Sequence, residues 1–222
     1  MTSHLSIIRN ANSSFGHHLR PIKCKNKTVV LVWKVFLYMD KYTVFMYKNS
    51  IGIHKSYGVI MYNAVEVAWK MLKIANEQEI RLSNLQLQKL VYIAHGYFLA
   101  WKNKPLISDP ISAWKFGPVI DSVYHTFKDY RDQKIPSKNL NDVATDVDMD
   151  DDAITAIKGV LKLYGNRSAM ELVNLTHQPN TPWDEVWNNE DGKSKFSAEI
   201  SDRLIKNHFR KVVADPGKVH GL

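Results

Sequence analysis

Cysteine is nearly absent from the chain: Cys24 is the only one in 222 residues. A single cysteine cannot form a disulfide within the chain, so the sequence has neither a disulfide framework nor a cysteine-based metal site. Disulfides are a feature of oxidising compartments and are rare in the reducing cytoplasm. The cysteine content is therefore typical of a cytoplasmic protein, which is the localisation that we predict.

Long hydrophobic runs are also missing. In the first sixty residues the most apolar run is Thr28–Met39, which is about twelve residues long and contains Lys34. A membrane-spanning helix needs about 20 mostly apolar residues. A signal peptide would need a small-residue cleavage site after the run, and none follows. The sequence therefore predicts no membrane association.

Motifs of common enzymes are missing as well. The ten glycines are scattered, and no phosphate loop, dinucleotide fingerprint, nucleophile elbow or zincin motif occurs. His95, His125 and His177 could converge on a metal with Asp184 as a fourth ligand, but no two of these histidines have HxH or HxxxH spacing. We predict no metal, no cofactor and no catalytic residue. An enzyme that depends on these histidines or on a metal is one alternative.

Positive charge is concentrated in one part of the chain. The formal net charge is +8, yet residues 1–60 hold nine basic residues and a single acidic one, Asp40. This leaves 21 of the 30 basic and 21 of the 22 acidic residues for positions 61–222, whose net charge is zero. Nucleic-acid binding requires a basic patch on the folded domain. Residues 61–222 offer no such excess, so a DNA-binding regulator, the other alternative, would depend on the first segment.

The change in composition at Met61 predicts three regions. Residues 1–60 form a basic N-terminal extension, either hairpin-like or poorly ordered. A sharper interpretation is that Met61 is the native start and that residues 1–60 come from translated upstream sequence. Residues 61–213 form the folded domain, and residues 214–222 form a flexible tail.

The stretch Leu82–Trp101 is apolar on all its faces, which is typical of a buried helix. Ser83 and Gln86 have the spacing of a capping box, which marks its beginning. The sequence therefore predicts a mainly α, compact helical domain around one buried central helix, with a short β element near residues 111–116. Gly117-Pro118 is predicted to begin the next helix. Further helices are predicted at Tyr62–Asn76, Asp152–Tyr164 and Asp202–Val213, with shorter ones after Ser168 and Thr181.

Most aromatic residues after Met61 lie on the apolar stripes of these helices and are predicted to be core. Trp114, Trp183 and Trp187 instead lie at the edges of loops, where aromatic side chains can anchor an interface. This placement indicates a protein partner rather than a small substrate.

Three sequence blocks carry a resemblance to a known family: Leu85–Trp101, Ala113–Phe127 and Glu171–Val186. In this order and at this spacing they resemble the Panacea domain, also called the SocA-like or GepA-like phage-associated domain. The resemblance covers about residues 61–213. The family pattern includes eight positions of this chain: Gln88, Lys89, Trp114, Gly117, Pro118, His177, Pro182 and Trp183.

The resemblance implies an antitoxin of a toxin–antitoxin system. Such proteins bind and neutralise a toxin encoded by the neighbouring gene, and some also resemble adaptors that deliver the toxin to a Clp-type protease. The resemblance implies no catalytic residues. We predict that the toxin-binding surface comprises two aromatic, turn-rich stretches, with the residues Trp114, Lys115, Phe116, Gly117, Pro118, His177, Pro182 and Trp183.

Overall fold

One buried helix organises the part of the chain that the computed structural model describes, residues 61–136, 147–195 and 197–215. These residues belong to a compact unit, Ser56–Leu222. The predicted extension at residues 1–60 and nearly all of the predicted tail lie outside the described residues. The division of the chain at these boundaries therefore stays a prediction.

The described residues form seven α-helices and three short strands. In chain order these are α1 (Ala64–Glu77), α2 (Asn84–Lys102), β1 (Ser112–Trp114), β2 (Gly117–Val119), α3 (Asp121–Phe127), α4 (Asp151–Tyr164), α5 (Ala169–Thr176), α6 (Pro182–Asp184), β3 (Ala198–Glu199) and α7 (Asp202–Ala214). Short 3₁₀ turns lie at Lys128–Tyr130 and Gly192–Ser194, and a π-helix at Glu185–Asn189 follows α6. The predicted mainly α fold with a short β element is confirmed.

The central helix is α2, as its sequence predicts. Every residue from Asn84 to Leu99 except Leu85 is buried. The helix packs against α1, α3, α4, α5, α7 and β2. Its predicted capping box is present: Gln86 Oε1 accepts from the backbone N of Ser83 at 3.1 Å, and Ser83 Oγ accepts from the backbone N of Gln86 at 3.5 Å. Among the described helices, none is long and apolar enough to cross a membrane.

The longer helices around α2 begin at residues whose side chains accept backbone N–H groups of the first turn. These N-caps are Asn63, Asp150, Ser168 and Ser201. The ends of α1, α4 and α7 lie within two residues of their predicted bounds. Capping and amphipathic spacing are local properties, so the sequence alone was sufficient to place these helices.

The strands form one antiparallel sheet in the order β2-β1-β3. Trp114 pairs with Gly117 across a hairpin whose two turn residues are Lys115 and Phe116. The prediction that Gly117-Pro118 begins a helix is wrong, because these residues form β2 and α3 begins only at Asp121. Gly117 has φ of +98°, which no helix contains, and a residue before proline is disfavoured from helical backbone.

Candidate functional site

The two stretches predicted as a binding surface lie side by side, although about sixty residues separate them in the sequence. The indole Nε1 of Trp183 donates to the carbonyl O of Trp114 at 2.8 Å. The imidazole Nε2 of His177 lies 3.2 Å from the carbonyl O of Lys115, and its Nδ1 lies 2.7 Å from the carbonyl O of Val173. Side chains of the second stretch thus hold the backbone on which the hairpin turn is built.

The rings of the two stretches stack on one another and on neighbouring helices. The His177 and Trp183 ring centroids are 3.8 Å apart, and Trp187, on the π-helix, stacks on Trp183 at 5.9 Å. On the other side, Trp114 meets the edge of Tyr124 of α3 at 5.1 Å. We call Trp114, Tyr124, His177, Trp183 and Trp187 the aromatic cluster. Aromatic rings in contact favour particular geometries, so these five side chains hold one another in place beside the hairpin.

A fully buried lysine of α2 hydrogen-bonds to the backbone of the hairpin. Lys89 has no exposed surface, and its Nζ donates to the carbonyl O of Pro118 at 3.0 Å. Gly117 lies directly over it: a Cβ there would be 2.6 Å from Lys89 Nζ and 3.0 Å from both His177 Cε1 and Thr176 Oγ1. Only glycine fits this position, because of both the contact and the positive φ.

Burial lowers the pKa of the Lys89 amine to about 7. A charged ammonium out of water is costly, and no acidic group among the described residues compensates for the loss of solvent at this position. The amine is therefore partly neutral near pH 7, where an ordinary lysine is fully charged. A neutral amine suits a site in which Lys89 Nζ donates to one backbone carbonyl, that of Pro118.

The neighbouring residue of α2 holds the far end of β2. Gln88 Nε2 donates to the carbonyl O of Ile120 at 3.0 Å, and Gln88 Oε1 accepts from the backbone N of Ile120 at 3.0 Å. A side-chain amide that bonds to both the N–H and the C=O of one residue fixes the backbone at that residue, directly after β2. Gln88 and Lys89 together attach β2 and the residue after it to the buried central helix.

The eight residues predicted to bind a partner differ sharply in exposure. Four are buried, Gly117, Pro118, Pro182 and Trp183, and Trp114 and His177 are half-buried. Only Lys115 and Phe116 are exposed, with 56% of the Phe116 side chain accessible. We call these two residues the hairpin tip. A partner would contact the hairpin tip and the edges of the half-buried rings, while the buried four support them.

One polar atom beside the hairpin tip is left unpaired. The indole Nε1 of Trp114 is buried and finds no acceptor among the described residues. Native proteins pair nearly all such groups, and the exceptions often accompany functional sites. This N–H is therefore an unsatisfied buried donor within the aromatic cluster.

Sequence reasoning missed the supporting role of Gln88, Lys89 and Thr176. The first two belong to the family pattern, yet nothing local indicated which backbone they bind. The available signal was two adjacent polar residues on a helix that is otherwise apolar on every face, which is unusual without buried partners.

The histidines considered for a metal lie in separate environments. His95 is buried, and its Nε2 lies 3.0 Å from Asp202 Oδ1 while its Nδ1 accepts from the backbone N of Ile107 at 3.4 Å. His125 is exposed on α3 against Tyr124, and His177 belongs to the aromatic cluster. Within the described ranges no group of three or more His, Cys, Asp or Glu residues could hold a metal ion.

Comparison with known proteins agrees with the resemblance seen in the sequence. Residues 87–184 match the family described as antitoxin SocA-like, Panacea domain. The chain is 36% identical to antitoxin SocA of Caulobacter vibrioides (strain NA1000 / CB15N) over 155 residues, which are 67% of this chain and 82% of that protein. No solved structure matches the chain. The matched region contains the hairpin, its supporting residues and most of α2. The chain belongs to the SocA-like, Panacea-domain antitoxin family.

Proposed function

We propose that this protein is a cytoplasmic antitoxin that neutralises the product of a neighbouring gene by binding it directly through the hairpin tip. The observation that carries the proposal is the convergence of the family pattern on the hairpin. Gln88, Lys89, Gly117, His177 and Trp183 all hold or pack against the backbone between Trp114 and Ile120. The residues that this arrangement leaves exposed are Lys115 and Phe116.

A rigidly held, exposed aromatic residue is well suited to protein recognition. Aromatic side chains are enriched at the core of protein interfaces. Affinity also improves when the contacting group is already in its bound conformation, because less conformational freedom is lost on binding. The backbone on either side of Phe116 is fixed by strand pairing, by Lys89 and by His177. The Lys115 ammonium, 5.8 Å from the Phe116 ring centroid, adds a positive charge to this contact.

The π-helix at Glu185–Asn189 supports the same surface. Such segments are uncommon and occur frequently at functional sites. Here the π-helix positions Trp187, which is half-buried and stacks on the buried Trp183. The exposed edge of Trp187 extends the aromatic surface beyond the hairpin tip.

We propose that occlusion of the toxin is sufficient for neutralisation. Delivery of the bound toxin to a Clp-type protease is a further step that the family resemblance suggests. The two are separable: if occlusion suffices, protection persists in a host that lacks Clp proteases. Protection that disappears in this host would place degradation at the centre of the mechanism.

The test is co-expression with the adjacent open reading frame in bacteria. Growth arrest caused by the neighbouring product should be relieved by the full chain, and the two proteins should co-purify. Phe116→Ala should weaken both effects. Met170→Ala is the matched control, because the Met170 side chain is also 56% exposed but lies at the start of α5.

A harmless neighbouring product would contradict the antitoxin assignment. If the wild type, Phe116→Ala and a Lys115→Glu variant protect equally well, the antitoxin assignment stands. The toxin-binding interface would then lie elsewhere than at the hairpin tip.

A further inference from the structure

A second surface lies on other elements of the domain, between the α1–α2 connection and α4. It is a cleft of about 520 Å³ that we call the α1–α4 cleft, lined by Gln78, Glu79, Ile80, Lys158, Leu161, Lys162 and Asn166. None of these residues belongs to the hairpin or to the aromatic cluster. The volume is within the range of sites that hold small ligands or short peptide segments.

The floor of the cleft is apolar and well fixed. Leu161 is buried in α4, and Ile80 packs against the end of this helix, where a Cβ on Gly165 would lie 3.1 Å from Ile80 Cδ1. The backbone N of Ile80 donates to the carbonyl O of Ala75 at 2.9 Å, which ties the connection to α1. Since Leu161 is covered and Ile80 is only half-buried, Ile80 is the apolar side chain of the floor that a partner could contact.

One wall of the cleft carries two exposed lysines. Lys158 and Lys162 are one helical turn apart on α4 and share the face of Leu161. In the described part of the chain neither makes an ion pair, whereas Lys102 pairs with Asp152 near the start of the same helix at 2.6 Å. The amides of Gln78 and Asn166 add donors and acceptors that suit a peptide backbone.

The opposite wall carries one carboxylate, Glu79, held in left-handed backbone at φ +60°. The cleft is therefore polarised, with two positive charges on the α4 wall and one negative charge on the other. A negatively charged segment is favoured only if its carboxylates face α4. This distribution of charge would both attract an acidic segment and determine its orientation in the cleft.

We propose that the α1–α4 cleft binds an acidic peptide segment of a protein partner, with carboxylates on Lys158 and Lys162 and an aliphatic side chain on Ile80. The α1–α4 cleft shares no residue with the hairpin tip. The inference does not depend on the hairpin tip being the toxin-binding surface.

The experiment uses the full chain and a fluorescein-labelled hexapeptide of alternating glutamate and leucine, with binding followed by fluorescence polarisation at about 0.15 M ionic strength, where distant surface charges are screened. We expect saturable binding that is about tenfold weaker for the Lys158→Glu, Lys162→Glu double variant, since like charges would then face the carboxylates. Glu79→Gln should tighten binding, because it removes the one repulsive charge.

The matched control reverses two exposed charges on α7, Arg203→Glu and Lys211→Glu, which alters the net charge equally. It should leave the affinity unchanged within about twofold, the size expected for distant screened charges. Absence of saturable binding overturns the proposal, and so does an equal loss in both double variants, which would indicate a non-specific charge effect. Equally tight binding of a glutamine–leucine hexapeptide would also overturn it, by showing that the occupant need not be acidic.

Discussion

At the scale of single residues, Lys89 shows how a polar group can be placed inside a helical core. Its aliphatic stem replaces an apolar side chain in α2, and its amine reaches the carbonyl of Pro118 on β2. The cost is the lost solvation of a charge, which lowers the pKa of the amine to about 7. The benefit is a hairpin fixed to the centre of the domain.

Lys89 should make the stability of the domain depend on pH. The folded state loses the proton at about pH 7, whereas the unfolded chain keeps it until near its ordinary pKa of 10.5. The unfolded state therefore binds more protons between these values, and the free energy of unfolding should rise with pH across this window, by up to about 1.4 kcal/mol per pH unit. Below about pH 7 both the folded and the unfolded state keep the proton, so the free energy of unfolding no longer changes with the titration of Lys89 and its full destabilising effect is present.

Urea unfolding between pH 6 and pH 9.5 measures this effect. In Lys89→Met the rise should largely disappear, while in Lys158→Met, which removes an exposed lysine, it should persist. An unchanged slope in Lys89→Met would assign the pH dependence to another group.

Gly117 and Phe116 are adjacent, yet they should respond to substitution in opposite ways. Gly117→Ala places a Cβ against Lys89 Nζ at a φ of +98°, so it should lower the free energy of unfolding by about 1–3 kcal/mol and also weaken partner binding. Phe116→Ala removes an exposed ring, so it should weaken binding while stability stays within about 0.5 kcal/mol of wild type. Thermal unfolding together with co-purification distinguishes the two, and a destabilised Phe116→Ala protein would mean that the ring is structural.

At the scale of elements, the contact between α2 and α7 determines how the core closes. The Phe209 ring lies directly over Gly96, where any Cβ would overlap it. The same ring meets the edges of Tyr92 and Tyr97 at 5.9 and 4.9 Å. The absence of a side chain at Gly96 therefore allows an aromatic residue to sit against the backbone of the central helix.

Gly96→Ala should destabilise the domain by up to about 2 kcal/mol, because the gain in helix propensity, about 1 kcal/mol, is smaller than the cost of displacing Phe209, up to about 3 kcal/mol. Gly159→Ala, in a partly exposed position of α4, should instead leave stability unchanged or raise it by up to about 1 kcal/mol. Chemical denaturation of both variants checks the contrast. A stabilised Gly96→Ala protein would show that α7 can move away from α2 at little cost.

At the scale of the whole molecule, the described core lies within the compact unit Ser56–Leu222 and surrounds α2. We predict that protein starting at Met61 unfolds in one cooperative transition with the same midpoint as the full chain, and that it protects equally against the neighbouring product. Parallel thermal melts and growth assays test this. A lower midpoint or lost protection would assign residues 1–60 a part in folding or in binding.

The sequence could predict the helices of this protein but not its second strand. Caps such as Ser83 and Asn63, and apolar spacing within each helix, act over a few residues, so they can be read without the fold. Strand β2 depends on pairing with β1 and on support from Gln88 and Lys89, which lie about thirty residues earlier. Gly117-Pro118 therefore looked like a helix start when read alone.

The sequence by itself determined the central helix, the helical class of the domain and the two stretches that belong to one surface. Only the tertiary structure decided which residues of these stretches are exposed. Trp183 is buried because its indole N–H binds the Trp114 carbonyl and its ring lies between His177 and Trp187. Phe116 is exposed because a two-residue turn between paired strands must direct its side chains away from the elements that hold those strands. Burial depends on what other parts of the chain cover, and this is a property of the packed molecule rather than of any segment.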